Sequence, residues 1–148
     1  MRRRKTIDGD KRPMGVRLYV EKPHGELAAV ETETEDDFMY FRDSVHMALE
    51  DGKFASRFPT LMKTFLTDWE KEDAVALERE LKEIHAAFRK LPPMPPDGNW
   101  RAKLIRSGRK PETLAEVYLD KDGAPLIERL IALARVASDN GLPIRWGS

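Results

Sequence analysis

The sequence predicts an α+β fold: an N-terminal β-hairpin, three central helices, then strand, helix and strand, with a small mixed sheet packed against the helices. Three observations predict it. Val16, Leu18 and Val20 alternate with polar residues near the N-terminus, the period of a half-buried strand. Apolar residues recur at steps of three and four over three later stretches, the period of amphipathic helices. Clusters of Pro, Gly and Asp at 22–25, 92–98 and 120–123 punctuate these stretches.

The elements follow in order. Gly15 to Glu21 reads as the first strand. Lys22-Pro23-His24-Gly25 is a turn, because Pro fixes φ and Gly accepts a positive one. Glu26 to Thr32 is the returning strand. Thr34, with Asp37 three places on, reads as an N-cap, and the acids Glu35, Asp36 and Asp37 suit the positive end of a helix dipole. Phe38, Phe41, Val45 and Ala48/Leu49 then carry a helix that Gly52 stops. Pro59 fits the first turn of a second helix through Leu61, Met62, Phe65 and Leu66.

Thr67-Asp68-Trp69-Glu70 matches a capping box for a third helix, about 70 to 90. Its stripe is Ala74, Leu77, Leu81, Ile84, Phe88 and Leu91, and its other face, with Glu78, Arg79, Lys82 and Glu83, reads as solvated. This central segment is expected to be the platform on which the other elements pack. The prolines from Pro92 to Pro96 end the helix and favour an extended connector. Asn99 to Arg106 is expected to hold a short strand with Trp100, Leu104 and Ile105. Leu114 to Leu119 is expected as another strand, followed by the Asp120–Gly123 turn. Pro125 opens a last helix that Asn140-Gly141 stops. Leu142 to Trp146 closes as an edge strand, since Pro143 removes a ladder donor.

The chain has 148 residues, 41% hydrophobic and 35% charged, which suits one globular domain over 14–148 with a charged exterior. Its formal net charge is zero but uneven. Residues 1–13 hold six basic and two acidic residues, a net +4, so 14–148, with 20 basic and 24 acidic, carries −4. The leader 1–13 is expected to be a disordered basic tail, and Met14 resembles an alternative start. The absence of cysteine excludes disulfides, thiolate metal sites and cysteine nucleophiles, and suits a reducing cytosol. No apolar run reaches the ~20 residues of a membrane span.

Little here points to catalysis. His24, His46 and His85 have no i,i+4 partner of metal-site spacing, and no HExxH, GxGxxG, P-loop or GxSxG motif is present. Ser44 and His46 are two apart on a helix and face different ways. No enzymatic activity and no cofactor are expected. Lys103, Arg106, Arg109 and Lys110 cluster around a glycine, but a domain of net negative charge is a poor reader of nucleic acid.

Ser56-Arg57-Phe58-Pro59-x-Leu61-Met62, combined with Glu80-Leu81-x-x-Ile84, resembles the immunity protein 70 family of bacterial polymorphic toxin systems. The likeness extends to the Met14-Gly15-Val16 opening, the Phe38/Phe41 helix ending in Glu50-Asp51-Gly52, Leu91-Pro92-Pro93, and the Asp122-Gly123 turn before an apolar helix. It spans most of 14–147; the leader has no counterpart, and 94–113 match poorly. The resemblance implies a cytosolic protein, monomer or homodimer, encoded beside a toxin gene. Its partner would be the cognate toxin's catalytic domain, with no membrane or nucleic acid involved.

Such an inhibitor needs an interface of ~1,600 Å² in total with a few anchors inside a polar rim. Glu31, Glu33, Glu35, Asp36 and Asp37 have two readings: a solvated helix start, or an acidic rim that meets a basic toxin across a Debye length of about 8 Å. Trp69, Trp100 and Trp146 also have two: core packing, or an exposed anchor. The other function class open to the sequence is a non-catalytic regulatory module without a toxin, contacting nucleic acid through the basic leader.

Overall fold

The computed structural model describes residues 15–63, 67–93 and 104–147. It is an α+β fold, as the periodicities predict. Strand β1 (Arg17–Lys22) pairs antiparallel with β2 (Gly25–Glu31) across the expected hairpin, with Leu18 opposite Val30 and a register shift at Val20/Glu21. The hairpin closes tightly at its open end. Thr32 N–H donates to the Val16 carbonyl at 2.9 Å, and a Cβ on Gly15 would lie 2.1 Å from the Thr32 carbonyl oxygen, so only glycine fits there. The last strand, β3 (Arg145–Gly147), joins the other side of β1 antiparallel, giving the order β2-β1-β3 with β3 on an edge. The described sheet is therefore antiparallel, where a mixed sheet was expected.

Helix α1 (Glu35–Leu49) starts at the predicted cap: Thr34 Oγ1 accepts from Asp37 N–H. It stops at Glu50, one residue before Asp51 takes the positive φ that Gly52 was expected to supply alone. Helix α2 is short (Pro59–Met62), and the predicted continuation at Phe65 and Leu66 lies outside the described residues. The capping box sits three residues later than the sequence suggests. Glu70 accepts from the Asp73 amide while Asp73 accepts from the Glu70 amide, over a 3₁₀ turn (Lys71–Asp73) that runs into α3 (Ala74–Phe88). Trp69 is drawn off by a bridge to Ile144 at the entrance to β3, so Thr67 cannot begin the helix.

Two expected strands do not form among the described residues. Residues 104–107 are helical, while Trp100 and the rest of 94–103 lie outside the described residues. Leu114 to Leu119 begins as a 3₁₀ turn (Leu114–Glu116) and ends in a single bridge, Leu119 to Pro125. Its alternation fails as a strand signal because Leu114, Ala115, Val117, Tyr118 and Leu119 are all buried. Helix α4 (Leu126–Asn140) ends as predicted at Gly141, at φ 63.

Helix α3 is the element on which α1, α2 and α4 converge, and α4 in turn covers the sheet. Its buried stripe of Ala74, Leu77, Leu81, Ile84 and Phe88 meets Phe38, Phe41 and Val45 of α1, the inner sheet residues Leu18 and Val20, and the buried face of α4 in one core. Among the described residues, no helix is long and apolar enough to cross a membrane.

Candidate functional site

The segment between α1 and α3 is largely irregular among its described residues. An irregular segment against a core must find partners for its amides and carbonyls. Here side chains supply them. Glu50, whose side chain is fully buried, accepts from the amides of Ala55 (3.1 Å), Arg57 (3.1 Å) and Phe58 (2.9 Å). Glu80, at 4% exposure on α3, accepts from the amides of Thr60 (3.1 Å) and Leu61 (2.9 Å) at the start of α2. The carbonyls are met likewise: Arg42 donates to Met62 O at 3.0 Å, and the Trp69 indole donates to Thr60 O at 2.8 Å. Two buried carboxylates and two long donors thus hold residues 55–62 in one shape.

Electrostatics agree with the geometry. Burial pushes the Glu50 carboxyl upward. The amides of Phe58, Arg57 and Ala55 and the His46 ring outweigh that and hold it below the usual glutamate range.

This scaffold shapes a surface loop. Asp51 (φ 50) and Ala55 (φ 63) both occupy the left-handed region, which costs a non-glycine residue about 1 kcal/mol or more. Between them Phe54 stands 60% exposed, its ring 5.5 Å from the His46 ring, and Met47 on α1 is 73% exposed. Arg57 is anchored: its Nε donates to Glu83 at 2.9 Å, and the guanidinium lies 5.1 Å from the Phe58 ring centroid. The loop therefore presents a phenyl ring to solvent on a backbone strained at Asp51 and Ala55 and held by Glu50.

The residues singled out from the sequence are dispersed. Glu31 is half-buried and bridged to Lys121 (3.0 Å) and Arg17 (3.5 Å); the Glu31 hydrogen bond raises the Lys121 pKa. Glu33 is exposed and 3.4 Å from Arg106. Glu35 is half-buried and Asp36 exposed in the first turn of α1. Asp37 is fully buried, which removes it from any rim: the helix turns its third residue inward beside Phe38. Trp69, at 1% exposure, is a core residue held by its bridge to Ile144 and by its indole N–H, so it cannot anchor a partner. Trp100 lies outside the described residues. Trp146 is half-buried, edge-on to Phe38 at 5.6 Å.

No catalytic constellation forms among the described residues. His46 faces Glu50 at 3.3 Å, His85 faces Glu128 at 3.5 Å, and Ser44 Oγ accepts from the Tyr118 hydroxyl. No group of three or more His, Asp or Glu side chains is placed to hold a metal among these residues.

The sequence reading names Glu50 and Glu80 as part of the family likeness but assigns neither a role in holding residues 55–62. Glu80 left a signal: it sits three residues after Leu77 and four before Ile84, an acid on the apolar stripe itself. Glu50 left no sign of burial, since it follows the last helical turn beside another acid, Asp51.

A family model described as Immunity protein 70 matches residues 24–145. No curated protein and no solved structure matches.

Proposed function

The chain belongs to the Immunity protein 70 family, and from that premise we propose that it binds and neutralises one cognate toxin domain in the cytoplasm of the cell that makes both. The match over residues 24–145 carries this reading. The geometry supports it in kind. An inhibitor of this sort works by shape and charge, with no bond-making of its own, and the loop over 51–57 is rigid before any partner arrives. Rigidity keeps affinity from being lost to ordering on binding. Phe54, packed edge-on to His46, is the aromatic anchor of the contact. Glu31, Glu33, Glu35 and Asp36 contribute an acidic rim, which acts on association rate more than on residence time.

The test is co-expression with the toxin domain encoded beside this gene. Restored growth and a co-purifying complex are expected. A toxin that stays lethal and forms no complex overturns the reading. Reversing charge at Glu33, Glu35 and Asp36 should slow association at low salt; an unchanged on-rate removes the rim from the interface.

A further inference from the structure

A cleft of about 660 Å³ opens between the last turns of α3, residues 109–116 and the start of α4. That volume lies within the ~300–1,000 Å³ typical of small-ligand sites. Buried Ala115 and Leu119 give it an apolar inner wall. Its rim is cationic. Arg89 comes from α3, and Arg109 and Lys110 from the loop after residues 104–107.

What sets these three apart is that they converge on one cleft, unpaired among the described residues. Elsewhere on the surface Arg57 is matched with Glu83, Arg129 with Asp120, Arg135 with Glu78 and Arg145 with Asp68, while Arg79 stands without a partner among the described residues. Among the described residues, the side chains of Arg89, Arg109 and Lys110 make no ion pair and no hydrogen bond. The two acids that line the cleft are already engaged. Glu116 accepts from the Glu112 amide at 3.1 Å, and Glu128 faces His85 at 3.5 Å. A second observation concerns Thr113. It lines the same cleft, and its hydroxyl oxygen is buried with no hydrogen-bond partner among the described residues. It stands at the N-cap position of the 3₁₀ turn yet does not cap it. An orphaned hydroxyl in the interior is uncommon and calls for a partner.

We propose that this cleft binds a small, multiply charged oxyanion of phosphate or carboxylate chemistry. Arg89, Arg109 and Lys110 supply charge-assisted donors, and the Thr113 hydroxyl, buried in the cleft wall, donates a further bond once its side chain turns toward the anion. Arginine and lysine beside a hydroxyl are donors suited to either headgroup. The site is independent of toxin binding and stands or falls separately.

The test is calorimetric titration of the full chain at low ionic strength, with inorganic pyrophosphate in one arm and citrate in the other. Binding of at least one anion is expected, weakening with added salt; the tighter arm identifies the headgroup. Arg109→Gln with Lys110→Gln should weaken it by about tenfold or more, and Thr113→Val should weaken it as well. Lys71→Gln with Arg79→Gln removes two exposed cations outside the cleft and should leave the affinity unchanged. No heat from either anion at millimolar concentration overturns the proposal. So does an equal loss in the two double variants, which would mean attraction by overall charge.

Discussion

Replacing Glu50 by alanine isolates what holds the central segment. The substitution strands the amides of Ala55, Arg57 and Phe58. The Phe58 amide is buried and cannot turn to water, while the other two are partly accessible. One buried orphan costs about 1–3 kcal/mol, and each lost bond to a charged acceptor removes up to about 1.5–3. Relief from burying the charge offsets part of this, so a net loss of about 3–4 kcal/mol is expected, near the range for removing one partner of a buried charged group. For a chain of this size that lowers Tm by roughly 10–15 °C. Glu50→Gln keeps an acceptor oxygen for two amides but turns its NH₂ toward a third donor, so about half that loss is expected. The assay is thermal and urea unfolding across pH. Because the folded state holds the Glu50 carboxyl below the usual glutamate range, the unfolded chain binds more protons. The stabilisation is therefore complete above the ordinary glutamate pKa of about 4.3 and fades as pH falls through the lower folded-state value. The gap between parent and Glu50→Gln should close in the same window. A Glu50→Ala protein melting within about 3 °C of the parent, or a gap that ignores pH, refutes the reasoning.

Further outcomes follow from the same structure. Glu80→Ala frees the Thr60 and Leu61 amides and should cost about 2–3 kcal/mol in urea unfolding. Gly15→Ala forces a Cβ against the Thr32 carbonyl, so unfolding should show a loss of about 2 kcal/mol or more, while a methyl on an open surface would change little. Phe54→Ala should leave stability within about 0.5 kcal/mol, since the ring is 60% exposed, yet weaken toxin binding by about thirtyfold or more. A stable variant with parental affinity would remove Phe54 from the contact.

What the sequence made legible was local. The hairpin, the Thr34 cap, the α3 stripe and the Gly141 stop each follow from a few neighbouring residues, and each stands where periodicity and capping place it. The errors have physical causes. The capping box lies three residues beyond its expected place because Trp69 pairs with Ile144, a partner far along the chain. Leu114–Leu119 looks like a strand until packing buries both of its faces. Asp37 belongs to an acidic run by sequence and to the interior by helix phase. In the first two cases a long-range contact decides what a local pattern leaves open, and in the third the phase of the helix does.

The same distinction separates the family signature from the surface that would meet a partner. The residues that carry the resemblance, Ser56 to Met62 with Glu50 and with Glu80, bring one buried unit together: the two acids are the acceptors and the segment's amides are the donors. A carboxylate enclosed by three amides has nothing left to offer a toxin, so the signature specifies architecture. What that architecture presents outward is Phe54, a residue outside the signature, on a loop whose backbone at Asp51 and Ala55 is strained and would relax without Glu50. The division of labour has a consequence for specificity. On the proposed function, two members that share the buried carboxylates and differ at the loop tip would meet different toxins on one scaffold. Exchanging residues 53–54 for those of another member should therefore change which toxin is bound while leaving Tm close to that of the parent. A swap that unfolds the chain would place the loop tip in the architecture, and the separation of frame from contact would fail.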